Sequence, residues 1–226
     1  MQTSEIRDAG PAEVVAGAEL LAAALGFAAR DAIPAWFIQT AVSCGGVALS
    51  ALDGERVVGF SFAIPADDGA LFSCGLAVAP SHRGQRLARR LKLAQRERAL
   101  ARGVASIRWT ADPLSAPALA VYLSGLGARL DAYEPELYAS VRPARVPPDD
   151  VVIRWELHGA GAVDPYAGTA VEIPFPGAEL PPEQHRRWRL RVRERMCRAL
   201  DEGMVGTGVS FDRRARRCWV LFAREV

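Results

Sequence analysis

The run VAPSHRGQRLARRLKLAQ, residues 78–95, concentrates the residue types best suited to chemistry in this chain. An apolar stretch stops at Pro80, a short turn carries Arg83 and Gly84, and an arginine-rich segment with helical composition follows. A helix start leaves its first N–H groups without intrahelical acceptors and bears a partial positive charge. A turn of small residues in front of it therefore makes an anion site, and phosphate or pyrophosphate is the ligand it suits. Taken alone, the R-G-x-x-x-A match of Arg83, Gly84 and Ala88 is a common strand–turn–helix pattern.

Between residues 83 and 108 stand nine Arg or Lys, with Glu97 as the single acid. A phosphate-rich ligand needs only a few of these cations, such as Arg83, Arg89 and Arg90, and the others are expected on a solvated face or paired with acids of the second half. No aromatic interleaving or DNA-reading motif accompanies the run, so nucleic acid is not the expected partner. The whole chain is close to neutral, at +2, and Lys92 is its only lysine.

Other reactive types are scattered. His82, His158 and His185 lack metal-site spacing, so no metal is expected. Cys44, Cys74, Cys197 and Cys218 form no C-x-x-C pair and read as buried free thiols. With 226 residues, half of them hydrophobic, the chain can bury a sizeable core. It has no apolar run long enough to span a bilayer, and MQTSEIRDAG lacks a basic leader followed by an apolar stretch, so a cytoplasmic location is expected.

The elements that position these residues follow from periodicity. Helices are expected over 12–29 and from Pro34 to 43, then two strands joined at Asp53-Gly54, and a central strand over 70–79. A helix over 84–102 closed by Gly103, the strand ASIRWTA, a helix over 114–125 and a strand over 127–133 come next. VRPARVPPDD reads as a connector, followed by strands at VVIRWEL and AVEIPF, a helix over 182–202 and a last strand at CWVLFA. In that helix Trp188, Val192 and Met196 form one apolar stripe. The pattern predicts an α/β (α+β) fold: a mixed central sheet with helices on both faces over 1–140, and a C-terminal α+β extension over 141–226.

In this context the central run resembles the GNAT acyltransferase superfamily. There a strand leads through V-x-P-x-x-R-G-x-G-x-G/A into a helix whose start holds the pyrophosphate of acyl-coenzyme A. Val78, Pro80, Arg83, Gly84 and Ala88 match, and Val58-Gly59-Phe60 fits the preceding hairpin. LKLAQRERALARGVASIRWTADPLSAPALAVYLSGLGA is similar to a branch of that superfamily that continues into a second half, matched here by Val152 to Leu157 and by Trp188, Arg189 and Arg193.

The resemblance implies an N-acyltransferase using acetyl-CoA or another short acyl-CoA, acting on a small primary amine, with an amino acid among the candidates. It places the cofactor on Leu76, Ala77 and Val78 of the motif strand and on Arg83, Gly84, Gln85, Arg86, Leu87, Ala88 and Arg89 of the turn and helix. Arg86 stands where the motif has its second glycine; its side chain either crowds the ligand or pairs with a phosphate. When Leu126-Gly127 is aligned with the L-Y-x-x-x-G turn, the tyrosine acid of many relatives falls on Leu123. Tyr122, its neighbour, then faces about 100° away unless the helix is shifted.

Tyr122 is nevertheless the candidate acid, with an amphipathic ring at the sheet edge as its other reading. Asp112 either orients the acceptor amine or caps the next helix, and Glu134 and Glu136 are candidate bases or solvated loop charges. Cys74 is expected in the core rather than as a nucleophile. The second half is expected either to shape an acceptor pocket between lobes or to make a homodimer contact. Because Cys74 and Ala118 stand where the resembling branch often has histidine and asparagine, a fold that binds coenzyme A or a metabolite without turnover is the competing reading.

Overall fold

The computed structural model describes residues 4–26, 31–139, 148–159, 161–177 and 180–226. The chain divides into two compact units, Met1–Arg108 and Trp109–Val226. The boundary expected after residue 140, and most of the connector over 141–150, lie outside the described residues.

In the first unit, β1 (Glu5–Asp8), β2 (Val47–Asp53), β3 (Arg56–Pro65) and β4 (Leu71–Val78) pair antiparallel in sequence order, and β4 pairs parallel with β5 (Ser106–Ala111). Helix α1 (Pro11–Leu25) starts with proline at its first turn, accepts a bond from Gly10 N–H on Glu13 and ends at left-handed Gly26. Its buried residues Val14, Gly17 and Leu21 share one helical face. A Cβ on Gly17 would overlap the Phe60 ring, whereas one on neighbouring Gly59 would meet Leu87 and Leu91 of α3 (Leu87–Leu100). Adjacent strand residues point to opposite faces, so α1 and α3 cover opposite sides of the sheet. Helix α2 (Ala35–Ser43) joins α1 on its face, where Ile38, Phe60, Phe62 and Ala77 form the core.

Strand β4 contains the fold's main irregularity. Phe62 opposes Gly75 and Ala63 opposes Ser73, which leaves Cys74 as an extra residue in a β-bulge. Ser73 meets Lys92 beneath α3, while Cys74 packs against the core on the α1 side and a Cβ on Gly75 would approach Leu21.

In the second unit, β7 (Asp150–Glu156), β6 (Arg129–Glu134), β9 (Met204–Asp212), β10 (Arg217–Glu225) and β8 (Val163–Ile173) lie in that order, with antiparallel neighbours. Helix α4 (Ala116–Leu119) passes into a π-helical turn, Ala120–Gly125, and α5 (Pro182–Asp201) buries Arg189, Val192, Met196 and Ala199. The stripe expected on α5 is therefore one residue off at its start, with Arg189 inside and Trp188 half-buried.

Strands β1 and β9 were not expected from sequence. Of the four cysteines, all free, only Cys218 is buried; Cys44 is exposed and Cys74 and Cys197 are intermediate, which corrects the expectation of four buried thiols. No helix among the described residues is long and apolar enough to cross a membrane.

Candidate functional site

The turn between β4 and α3 is built by its backbone. Gly84 adopts φ 77° and Arg86 φ 59°, both left-handed, and Arg86 is the residue immediately before the helix. The first bond of α3 runs from Arg90 N–H to Arg86 O (3.1 Å), so the amides of Leu87 and Ala88 precede the helical ladder. Gln85 donates its side-chain amide to Ser81 O (3.3 Å) and Arg83 Nε donates to Val78 O (3.4 Å), tightening the turn from both ends. Leu87 is buried and anchors the helix to the sheet, while Arg83, Gly84, Gln85, Arg86 and Arg89 are exposed.

Arg86 thus occupies the backbone conformation that a glycine would take without strain. The cost of Arg86 is therefore conformational.

Beside this turn β4 has an open edge. It pairs with β5 only at Leu71–Ile107 and Phe72–Arg108, and Leu76, Ala77 and Val78 have strand partners on β3 alone among the described residues. Ala79 donates its N–H to Val58 O of β3 (2.8 Å); by the alternation of a strand, the amides of Val78 and Leu76 point to the opposite, open edge. A row of strand groups without a strand partner among the described residues therefore runs straight into the turn at Gly84 and Arg86.

Other cations of the run are engaged within the first unit. Arg90 donates to Ser4 O (2.6 Å), Arg98 to Asp8 (2.9 Å), Arg102 to Gly45 O (2.9 Å) and Gly46 O (2.7 Å), and Arg108 to Asp68 (2.6 Å). The partners expected from the second half are thus replaced by groups of the same unit. Lys92 leaves the expected solvated face altogether: it is 2% exposed and donates to Ser73 Oγ (2.8 Å) and Gln95 Oε1 (3.3 Å). Burial pulls its pKa down from 10.5 to about 7. Burial likewise pushes the Cys74 thiol up to about 11, which disfavours the nucleophilic thiolate.

In the second unit, Tyr122 lies on the π-helical turn, where bonding to i+5 alters the ordinary spacing of side chains. Leu123 is buried in the core, and the Tyr122 ring packs edge-on against Trp109 at 5.1 Å, which in turn meets Trp155 at 6.4 Å. Burial raises the phenol pKa, so the group holds its proton at neutral pH.

Asp112 is not the cap of α4, since Ser115 directly precedes that helix. Its Oδ1 accepts from Leu114 N–H (2.8 Å) and from Arg189 Nη1 (2.7 Å). Arg189, buried under α5, also donates to Asp149 O (3.2 Å).

Asp149 is the centre of a network that sequence reasoning missed. Its carboxylate receives Tyr133 OH (2.7 Å), Arg193 Nε (2.9 Å) and Arg193 Nη2 (2.6 Å), and Glu136 closes on Arg193 at 3.5 Å. Asp112 and Glu136 are thereby linked through two arginines. Glu134 takes no part in this network; it ends β6 opposite Asp150. The available signal was the i, i+4 pair Arg189 and Arg193, which shares one helix face.

The Asp112 turn also borders a cleft of about 430 Å³, whose other walls are the Pro174–Gly177 turn and the start of α5 at His185. Phe175 in that wall packs edge-on against Phe211 at 6.4 Å, with the Arg216 guanidinium over its ring at 5.3 Å.

A strand with an open edge that leads through a left-handed turn into a helix, in a sheet covered on both faces, has counterparts among known proteins. Residues 26–128, a little under half of the chain, match the model of the acetyltransferase (GNAT) family. No curated protein matches the sequence. Among solved structures, a putative acetyltransferase, yncA, from Salmonella typhimurium with its cofactor acetyl-CoA is similar at 20% identity and TM-score 0.59, covering 73% of this chain and 99% of that one. The ribosomal-protein-S18-alanine N-acetyltransferase from Escherichia coli is similar at 16% identity and TM-score 0.58, covering 70% and 96%. A phosphinothricin acetyltransferase from Sinorhizobium meliloti in complex with acetyl-CoA is similar at 18% identity and TM-score 0.57, covering 70% and 91%. At these identities the likeness is one of fold.

Proposed function

We propose that the protein is an N-acyltransferase that moves an acetyl or other short acyl group from acyl-CoA to a small primary amine by direct attack. The observation that carries this reading is the open edge of β4 running into the left-handed turn at Gly84 and Arg86. That arrangement offers strand groups to an extended amide chain and helix-start amides to a pyrophosphate. The solved relatives that hold acetyl-CoA support the same donor.

In this reading the amides of Gly84 to Ala88 receive the pyrophosphate, and Arg83 and Arg89 supply nearby positive charge. The outward amides of Leu76 and Val78 are placed to stabilise a carbonyl oxygen as it gains charge. Bound acyl-CoA supplies the thioester, at which a C–N bond forms, the C–S bond breaks, and one proton leaves the amine while one reaches the thiolate. Tyr122, kept protonated by burial, is the candidate acid; Asp112 and Glu134 are the candidate contacts for the amine and its proton.

A thermal-shift titration with acetyl-CoA, succinyl-CoA and free CoA tests the donor site. A ligand at 100 times its Kd stabilises by about 2.7 kcal/mol, which raises Tm by about 5–10 °C for a chain of this size. A saturable rise, followed by thiol release with an amine panel, is the expected result. No rise with any of the three overturns the reading, and a rise without turnover on any amine leaves a coenzyme-binding fold that does not catalyse.

A further inference from the structure

The cleft of the second unit has a definite chemical character. Its acidic side chain is Asp112, whose carboxylate is half exposed and whose Oδ1 is fixed by Leu114 N–H and by buried Arg189. Oδ2 accepts no hydrogen bond from the described residues. A carboxylate held in one orientation with an oxygen to spare favours a cation over an anion.

The rest of the lining narrows the choice. Leu114, Pro117, Phe175 and Leu180 present apolar surface, and Ser115 and His185 add two polar groups. A polyamine or an aminosugar carries several ammonium groups and would leave most of them facing hydrocarbon, at a desolvation cost. One ammonium on one carboxylate, attached to an apolar body against the proline and phenylalanine wall, matches the single acidic side chain and the apolar part of the lining.

We propose that this cleft binds a primary amine with a single ammonium group and an apolar body of about aromatic size, the ammonium on Asp112 and the body against Phe175 and Leu180. That this amine is the acyl acceptor rests on the acyltransfer reading above; that it binds here does not.

The full chain, without coenzyme, is titrated with 2-phenylethylamine, 2-phenylethanol, ethylamine and spermidine, and binding is followed by the backbone amide signals of Leu114 and Leu180. 2-Phenylethylamine should shift these signals saturably and bind about 10- to 100-fold more tightly than 2-phenylethanol or ethylamine, the worth of a charge-assisted hydrogen bond or of the buried body. Asp112→Asn should erase the advantage over 2-phenylethanol. Leu180→Trp, which fills the cleft and leaves the Asp112–Arg189 pair untouched, should abolish binding and keeps the test decisive if Asp112→Asn fails to fold.

Spermidine or ethylamine binding as tightly as 2-phenylethylamine, or 2-phenylethylamine binding equally well to Leu180→Trp, overturns the proposal. The coenzyme thermal shift is read separately on the same protein. Loss of amine binding with that shift intact overturns this inference alone, and loss of the shift with amine binding intact overturns the acyltransfer reading alone.

Discussion

Gly84 and Arg86, with Gln85 between them, both hold the left-handed backbone conformation, at φ 77° and φ 59°. The turn requires that conformation twice, and the chain meets the requirement once with glycine and once with a residue that resists it. A left-handed non-glycine residue costs about 1–2 kcal/mol. Arg86→Gly should therefore raise stability by about 1 kcal/mol, or about 2–4 °C in Tm, and leave acetyl-CoA affinity equal or higher. A fall in both would mean that the guanidinium itself holds a phosphate.

Gly84→Val is the converse change. A Cβ at Gly84 meets no atom within 4 Å, so the strain is in the backbone and not in a clash. The variant should lose about 1–2 kcal/mol in urea melts, and its thermal shift with acetyl-CoA should shrink. An undiminished shift would remove the turn from the ligand site.

Lys92 makes stability depend on pH with a definite sign. Its folded pKa, about 7, lies below the ordinary 10.5, so the unfolded chain binds more protons between these values and stability rises with pH across that window. Below about pH 7 both states carry the proton, and the full penalty of burying the lysine is present. The clearest range is pH 7 to 9, before the raised thiol of Cys74 begins to oppose it. Lys92→Met should be more stable than the parent at pH 7, and the gap should narrow as pH rises to 9. A gap that does not change with pH would show that Lys92 titrates normally.

Removing the buried carboxylate of Asp149 from its partly exposed partner Arg193 should be severe. Asp149→Ala leaves Arg193 without its two-pronged partner and Tyr133 OH without an acceptor, for a loss of about 3–5 kcal/mol. Tyr133→Phe removes a single bond and should cost about 1 kcal/mol. Similar losses for the two variants in chemical denaturation would show that Asp149 is not the hub.

The elements visible in the sequence are those whose residues agree locally with the fold. Pro11 and Glu13 open α1, Asp53 and Gly54 turn the β2–β3 hairpin, and Gly103 follows α3. Strand β1 escaped because its four residues, EIRD, are mostly charged and become a strand only by pairing with β2. Strand β9 escaped because Gly206 and Gly208 weaken any strand signal; at Gly206 a Cβ would lie 2.8 Å from Leu130 Cβ, so the glycine serves close approach of β6 and β9. The anion turn was legible from Arg83 and Gly84, but helix α3 starts later than expected, at Leu87, because Arg86 is left-handed. Asp149 was hidden in a proline-rich stretch, and Lys92 in a basic run whose surface character it does not share. In both cases the decisive partner is distant in sequence, Arg193 for one and Ser73 for the other.

The strand order of the second unit has a consequence for how the protein comes into being. β6, made early in that unit, sits between β7 and β9, and β9 begins only at Met204. Until the ribosome has released residues 204–212, one long side of β6 has no neighbour, and the Asp149 carboxylate waits for Arg193 on a helix not yet made. The second unit thus completes its fold only once Met204–Asp212 has been made, whereas the first can assemble while that strand is still to come. A nascent chain stalled before Met204 would display a sticky strand margin to chaperones and proteases, and quality control would read this protein at β6.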